Sequence, residues 1–146
     1  RQNQIISIAL LTASITFFSS CAKEGCTDSA ATNFSAEAKN DDGTCSFESS
    51  YVFYFDQNTA QNLLDDGATN LTFYVDGSII GSSAASVYWT GVPDCGSNGS
   101  ITVTKPLGGV KNKSYSYRVI DQTGWEYWSG ILNFEANTCT SYKLPW

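Results

Sequence analysis

The chain has 146 residues, a formal net charge of −6 at pH 7 and no histidine. Because no imidazole is present, Ser-His-Asp and Cys-His catalysis and His-ligated zinc are excluded, and an acidic chain without a basic run is a poor nucleic-acid binder. Aromatic residues make up 14% of the sequence and methionine is absent, a composition that favours β structure in one modest domain.

The first segment is apolar and ends on small residues and a cysteine. Residues 5–18 fall short of the roughly 20 apolar residues that span a bilayer core, as is typical of a helical signal peptide. Phe18-Ser19-Ser20-Cys21 resembles the bacterial lipobox, with Phe where Leu is commonest, as in Bacteroidetes-type lipoproteins. The resemblance implies that residues 1–20 are a cleaved signal peptide and that Cys21 carries lipid. An ordinary cleaved signal peptide and a buried N-terminal helix are the alternatives.

The residue after Cys21 bears on the compartment. In some Gram-negative bacteria an Asp at this position retains a lipoprotein in the inner membrane, whereas this chain has Ala22. The resemblance therefore implies an outer-membrane lipoprotein of the cell envelope, with the periplasmic and the surface leaflet both left open. The expected partners are the membrane, through the N-terminal lipid, and envelope proteins or polysaccharide; nucleic acid is not expected.

The cysteine count supports export independently. The chain has five cysteines, and an odd number in an exported protein leaves one thiol to be explained. Assigning Cys21 to lipid leaves four, and the simplest of the three possible pairings is Cys26 with Cys45 and Cys95 with Cys139. Each bridge would contribute roughly 2–4 kcal/mol in an oxidising compartment. Four reduced thiols, the alternative, would suit a cytosolic protein better.

The most specific motif covers residues 25–47, within a tether and short module predicted over residues 21–49. It resembles the Cys-Thr-Asp…Asp-Asp-Gly-x-Cys motif of many Bacteroidetes secreted and surface proteins, with Ser29 where the family usually has Pro. The matching residues are Cys26, Thr27, Asp28, Ala31, Asn33, Phe34, Ala38, Asp41, Asp42, Gly43 and Cys45.

Four oxygen-bearing side chains in this motif are weak calcium candidates: Asp28, Asn33, Asp41 and Asp42. Asp and Asn also dominate small loops because they bond their own backbone, and the EF-hand ligand spacing is absent. We therefore favour a structural spacer and expect no metal and no cofactor.

From residue 50 the pattern changes to alternating apolar and polar residues. This alternation predicts an all-β domain over residues 50–146, a small antiparallel β-sandwich of about seven strands. We expect a polar connection over residues 56–70, a hairpin at Asp76-Gly77 and a bulge at Gly130. The predicted strands are 51–55, 71–75, 78–81, 87–89, 100–105, 114–120, 125–134 and 138–144.

Part of this domain carries a second resemblance. Residues 73–81, with the Val-Asp-Gly hairpin, followed by Gly109 and by Tyr115-Ser-Tyr-Arg-Val119, resemble small surface sandwiches of the PEGA and carboxypeptidase-regulatory-like kind. The chain departs from that pattern by the insertion 110–113 and by lacking the usual Pro after Gly81. The resemblance implies a scaffold or adhesion module.

The aromatic residues near position 125 are the candidate ligand-binding residues. Strand alternation places Trp125 and Tyr127 on one face and Trp128 on the other, so at least one tryptophan is expected outside the core. Such a ring can stack on a sugar or contact a protein. The alternative is that these side chains fill the core, as large aromatic residues often do in a small sandwich.

Two carboxylate pairs, Asp65 with Asp66 and Glu126 with Glu135, have the residue types that hydrolyse glycosidic bonds. Asp65-Asp66-Gly67 is typical of a turn and the strand carboxylates are expected to face solvent, so we expect no catalytic residue and no enzyme. The sequence predicts a non-catalytic, lipid-anchored envelope protein with a structural or interaction role, as scaffold or adhesion module. The alternative is a glycan-binding accessory lipoprotein that uses its exposed aromatic residues.

Overall fold

The computed structural model describes residues 22–146, so the predicted signal peptide, residues 1–20, and the predicted lipid site Cys21 lie outside the described residues. The described part consists mostly of strands with one short helix, which confirms the prediction of a small all-β fold. Among residues 22–146, no helix is long and apolar enough to cross a membrane. The elements are β1 (Glu24–Gly25), β2 (Asn40–Asp41), β3 (Phe47–Tyr54), α1 (Gln57–Asp65), β4 (Asn70–Val75), β5 (Ser78–Ala84), β6 (Ile101–Gly108), β7 (Asn112–Asp121), β8 (Glu126–Glu135) and β9 (Cys139–Lys143).

Seven strands form two larger sheets. β3 lies at the centre of a three-stranded sheet and pairs antiparallel with β6 and parallel with β9. The four-stranded sheet has the order β5-β4-β7-β8 and is antiparallel throughout. The expected antiparallel pairing thus holds in these two sheets except between β3 and β9. A tight hairpin turn forces the two strands that it joins to pair antiparallel. The chain enters β9 from β8 of the four-stranded sheet, so no hairpin links β9 to β3, and the two strands can pair in parallel.

Aromatic rings fill the space between the two sheets. The Phe53 ring of β3 lies 5.8 Å from Phe73 of β4 and 5.6 Å from Tyr117 of β7, and the Tyr51 ring lies 4.6 Å from Phe134 of β8, all measured between ring centroids. These side chains are buried, and burying one such residue is worth about 1.5–3 kcal/mol. The two sheets therefore pack face to face.

The hairpin predicted at Asp76-Gly77 joins β4 to β5. Val75 pairs with Ser78, and the two turn residues have φ angles of 54° and 73°. Positive φ at both central positions is what a two-residue hairpin turn of this twist requires, and Gly77 adopts it without a steric penalty.

The connection after β3 differs from the prediction, because residues predicted as a polar linker form helix α1. The Asp56 carboxylate caps the helix by accepting from the Thr59 N–H at 3.0 Å. Leu63 is fully buried, while Leu64 beside it is exposed. Nine residues with one core-facing side are too short for a clear sequence signal, so packing against the sheets decides this element.

The strand predicted at residues 87–89 is wrong. These residues belong to the long loop between β5 and β6, where the Val87 N–H donates to the Ala84 carbonyl at 3.1 Å and the Trp89 N–H donates to the Phe55 carbonyl at 3.0 Å. Val87 and Tyr88 are exposed, so no sheet face covers their apolar side chains.

The residues before β3 form a small module around the Cys26–Cys45 bridge, in which β1 and β2 pair in parallel. An ion pair of 2.6 Å between Asp28 Oδ2 and Lys111 Nζ joins this module to the β6–β7 turn. The hydrogen bond from Lys111, and after it the Ala30 N–H, lower the pKa of Asp28. The module therefore lies at the end of the sandwich that contains the β6–β7 turn.

Both predicted disulfides are present. The Cα atoms of Cys26 and Cys45 lie 4.8 Å apart, and those of Cys95 and Cys139 lie 5.9 Å apart. The second bridge holds the loop between β5 and β6 against the start of β9, and the Ser141 hydroxyl donates to the Pro93 carbonyl beside it at 2.8 Å.

Replacing Cys95 and Cys139 together by serine is expected to lower the free energy of unfolding by up to about 4 kcal/mol, the loop-entropy estimate for a sequence separation of 44 residues. Thermal denaturation followed by circular dichroism measures the change. The matched control is the Cys26→Ser and Cys45→Ser double variant, which opens a shorter loop of 19 residues outside the two larger sheets. Its melting temperature should stay nearer to that of the wild type. An unchanged melting temperature in the Cys95/Cys139 variant would contradict this role.

Candidate functional site

The four tryptophans gather at one end of the sandwich. Trp125 lies in the turn between β7 and β8, and Trp128 lies near the start of β8. The backbone N–H of Trp89 donates to the carbonyl of Phe55, which directly follows the end of β3. The Trp146 ring lies 6.0 Å from Tyr127 of β8. The complete set is Trp89, Trp125, Trp128 and Trp146.

The N-terminal module contacts the opposite end. Lys111, its partner, directly precedes β7, whereas Asp121 is the last residue of β7. A strand of ten residues is about 30 Å long at 3.2–3.4 Å per residue. We call the tryptophan-bearing end the distal pole; it comprises α1, residues 66–70, the turn 122–125 and the four tryptophans.

A β-bulge at the start of β8 changes the faces of the sheet on which the candidate ligand-binding residues lie. Val119 pairs with Trp128 and Ile120 with Glu126, so Tyr127 is the extra residue. Strict alternation would place Tyr127 and Trp128 on opposite faces, but their ring centroids lie 5.6 Å apart. The alternation predicted for these side chains is therefore broken by the bulge.

The bulge predicted at Gly130 is wrong, because Gly130 pairs regularly with Tyr117. A Cβ atom at position 130 would lie 3.1 Å from Tyr117 Cε1. The glycine is instead explained by the close approach of this buried ring.

Asp121 fixes the turn that carries Trp125. Its Oδ1 accepts from the Thr123 N–H at 2.8 Å, the Thr123 hydroxyl at 2.7 Å and the Trp125 N–H at 2.9 Å, and its N–H donates to the Trp125 carbonyl at 2.9 Å. Burial raises the pKa of Asp121, but the hydrogen bonds from Thr123, Trp125 and Gly124 outweigh it, so that the pKa is lowered overall. The carboxylate is ionised at neutral pH and holds the Trp125 backbone in place.

Gln122 ties this turn to the loop after α1. Its Oε1 accepts from the Thr69 and Asn70 N–H groups at 2.9 and 3.3 Å, and its Nε2 donates to the Gly67 carbonyl at 2.9 Å. The two loops that carry Asp66 and Trp125 are thus cross-linked through one amide side chain.

A shallow depression of about 330 Å³ lies between these two loops, and we call it the Trp125 depression. Trp125 is 66% exposed there, whereas Tyr127 is half-buried and donates its hydroxyl to Asp66 Oδ2 at 2.8 Å. Burial, followed by the hydrogen bond to Asp66, raises the pKa of Tyr127 to about 12. The lining residues are Asp66, Gly67, Asp121, Thr123, Trp125 and Tyr127.

Trp128, the third predicted aromatic residue, does not line this depression. It is half-buried, and its indole N–H donates to the Pro145 carbonyl at 2.7 Å. This bond fixes the segment that carries Trp146, which is 57% exposed beside Tyr127. Trp128 therefore holds the segment that carries Trp146 in place and does not itself line the Trp125 depression.

The oxygens of the calcium candidates are engaged in hydrogen bonds within the module and in the ion pair with Lys111. Asp28 bonds the Ala30 N–H and Lys111, and the Asn33 side chain bonds Thr44 and Ser46 backbone groups. The other two accept backbone N–H groups two residues on: Asp41 from Gly43 and Asp42 from Thr44. Within residues 22–146, no group of three or more His, Cys, Asp or Glu side chains could hold a metal ion.

The carboxylate pairs are placed poorly for glycoside hydrolysis. Glu126 and Glu135 are the first and last residues of β8, about 30 Å apart at the usual rise per residue, whereas catalytic pairs lie about 5–9.5 Å apart. Asp65 accepts from Gln61 and Asp66 from Tyr127, so these neighbours are engaged in separate hydrogen bonds.

Another depression, of about 240 Å³, lies beside Tyr74, Arg118 and Glu126. The Arg118 guanidinium carbon lies 4.4 Å from the centre of the Tyr74 ring, so this aromatic face is already occupied by a cation. It is the weaker candidate for an aromatic ligand site.

Comparison with protein-family models, curated proteins and solved structures finds no match to this chain. The lipoprotein and PEGA-like resemblances therefore stay predictions, and the site rests on its own geometry.

The sequence pointed to Trp125 and Tyr127 and named Asp66 only in a carboxylate pair, and it did not assign Asp66, Asp121 or Gln122 to this site. Residues 121–124 are predicted as a turn, and the Asp121-x-Thr123 spacing is the local signal that assigns the carboxylate to that turn. Gln122 and Asp66 carry no local signal, since their partners are more than 50 residues away in sequence.

Because its folded-state pKa is lowered, Asp121 stabilises the turn above the ordinary value of 3.8, and this contribution is lost as the pH falls through the folded-state pKa. We expect the Trp125 amide resonance to shift in an NMR titration below pH 3.8. Asp121→Asn, which cannot ionise, should remove this step, whereas Asp65→Asn should retain it. A step that persists in Asp121→Asn would show that another group controls the turn.

Proposed function

We propose that this chain is a non-catalytic, lipid-anchored protein of the cell envelope that binds glycan at the Trp125 depression. The observation that carries the proposal is an indole ring, 66% exposed, on a backbone that Asp121 holds in place. Leaving so large an apolar surface in water is unfavourable, and a side chain on an ordered backbone loses less conformational entropy on binding than one on an unfastened loop.

The chemistry of the depression suits a sugar. The C–H groups of a pyranose face carry partial positive charge and stack on the negative face of an indole ring. Asp66 is exposed and Thr123 has a hydroxyl group, so both offer hydrogen-bond partners for sugar hydroxyls beside Trp125.

The arrangement of the two ends supports the same proposal. The N-terminal module joins the sandwich at Lys111, about 30 Å along β7 from Asp121. If Cys21 is lipidated, the membrane lies on the side of the module, and the distal pole is held away from it where a glycan is accessible.

A second candidate is a protein contact, as expected of a scaffold or adhesion module. Val87 and Val92, 51% and 67% exposed, lie on the loop between β5 and β6 together with Tyr88. Exposed aliphatic side chains favour a protein partner, since they offer no ring for a sugar to stack on.

Trp125→Ala is expected to weaken glycan binding about tenfold or more, because losing a central aromatic contact commonly costs about 2 kcal/mol. Affinity electrophoresis of the purified protein in gels containing β-1,3-glucan, xyloglucan, galactomannan or amylose, followed by calorimetry, measures it. Ile131→Ala is the matched control, since Ile131 is 65% exposed on β8.

Equal affinities of wild type and Trp125→Ala would overturn the site. No binding to any of the four polymers, with capture of an envelope protein that Val87→Asp abolishes, would favour the second candidate.

Cys21→Ala is expected to abolish metabolic labelling by a palmitate analogue and to remove the protein from the outer-membrane fraction, because two or more acyl chains are needed for stable anchoring. In-gel detection of the label after membrane fractionation measures this. Cys45→Ser is the control and should stay labelled. A labelled Cys21→Ala variant would contradict lipid attachment at this position.

A further inference from the structure

We infer that the ligand is an uncharged polysaccharide chain held at two points, with a second contact at the depression around Trp89. The inference rests on the proposed function, because the first contact is the Trp125 depression. It adds a second binding site and selects a polymer over a mono- or disaccharide.

The Trp89 depression, of about 280 Å³, is lined by Tyr54, Asp56, Trp89, Val92 and Lys143 among others. It pairs two aromatic rings with an ion pair of 2.6 Å between Asp56 and Lys143. Each charge is neutralised by its partner, while carboxylate and ammonium still offer acceptors and donors at the surface. Rings and paired charges suit hydroxyl groups better than a charged ligand.

The loop that carries Trp89 is fastened at two places. The Trp89 N–H bonds the Phe55 carbonyl at 3.0 Å, and the Cys95–Cys139 bridge ties the far part of the loop to β9. The backbone that carries the ring is therefore held by a hydrogen bond and a covalent bridge, as the Trp125 backbone is held by Asp121.

A short segment connects the two depressions. Lys143 lines the Trp89 depression, and Trp146, three residues on, packs 6.0 Å from Tyr127 of the Trp125 depression. Three residues of extended chain reach at most about 11 Å. Trp146 is 57% exposed, so it adds a third ring between the two sites.

Helix α1 runs between the same two depressions. Asp56 precedes its first residue and lines one depression, and Asp66 follows its last residue and lines the other. Nine helical residues span about 14 Å. The exposed residues of the helix include three amides and no cation: Gln57, Asn58 and Gln61. An amide offers both a donor and an acceptor to a sugar hydroxyl.

The charge at the Trp125 depression decides the class of polymer. Asp66 and Asp121 line it, and no Lys or Arg is among the lining residues. A uronic-acid polymer would meet like charges there, whereas a neutral polymer would not.

The test compares long and short ligands of the same chemistry. The purified wild type and the Trp89→Ala, Trp125→Ala and Ile131→Ala variants are titrated calorimetrically with each of the four neutral polymers, its disaccharide and, as a charged control, polygalacturonate. A ligand long enough to make both contacts at once binds with a much higher apparent affinity than a ligand that makes only one of them. We expect the wild type to bind one polymer at least about tenfold more tightly than the disaccharide, and Trp89→Ala to lose that gain while keeping its disaccharide affinity.

The outcomes separate the two proposals. Unchanged polymer affinity in Trp89→Ala, with loss in Trp125→Ala, overturns the second contact and leaves the proposed function standing. Equal loss for polymer and disaccharide in Trp89→Ala also overturns it, as does polygalacturonate binding as tightly as the neutral polymer. No binding of any neutral polymer by the wild type overturns both.

A second measurement does not depend on variants. Indole N–H resonances of Trp89 and Trp125 should both shift on adding the polymer's hexasaccharide, whereas the disaccharide should shift only that of Trp125. Shifts confined to Trp125 with both ligands would overturn the inference.

Discussion

Phe53 joins the two larger sheets of this protein. Its ring, on the central strand of the three-stranded sheet, packs against Phe73 and Tyr117 of the facing sheet and against Tyr142 of the neighbouring strand β9. Because a single sheet leaves its apolar face open to water, neither sheet could bury that face alone. The contact between the sheets sets their spacing, and it places the ends of β3, β7 and β9 together at one pole.

That pole is built largely from loops, and side-chain hydrogen bonds hold these loops in place. Asp121 closes the turn before β8, Gln122 joins this turn to the loop after α1, and the Trp128 indole holds the segment that carries Trp146. Each device satisfies backbone groups that loops would otherwise leave to water. The backbone segments that carry the exposed rings are consequently held in place within the fold itself, so that ordering them for a contact would cost little conformational entropy.

The two ends of the sandwich differ in chemistry. In the disulfide-stapled module at the β6–β7 turn, the Asp and Asn oxygens accept from the module's own backbone N–H groups, and Asp28 also pairs with Lys111. The distal pole offers aromatic and amide groups. The two ends therefore present different chemistry, with hydrogen-bonded carboxylates at one end and exposed indole rings at the other.

The sequence by itself determined the β class and the hairpin at Asp76-Gly77, because alternation and turn chemistry are local signals. Of the three possible cysteine connectivities it favoured, as the simplest, the one that the structure contains. It also marked Trp125 and Tyr127 as candidates. Only the tertiary structure decided that residues 57–65 are helical, that the bulge falls at Tyr127 instead of Gly130, and that four tryptophans from distant parts of the chain meet at one pole. These features depend on burial against the sheets and on bonds between residues far apart in sequence, for which no local pattern exists.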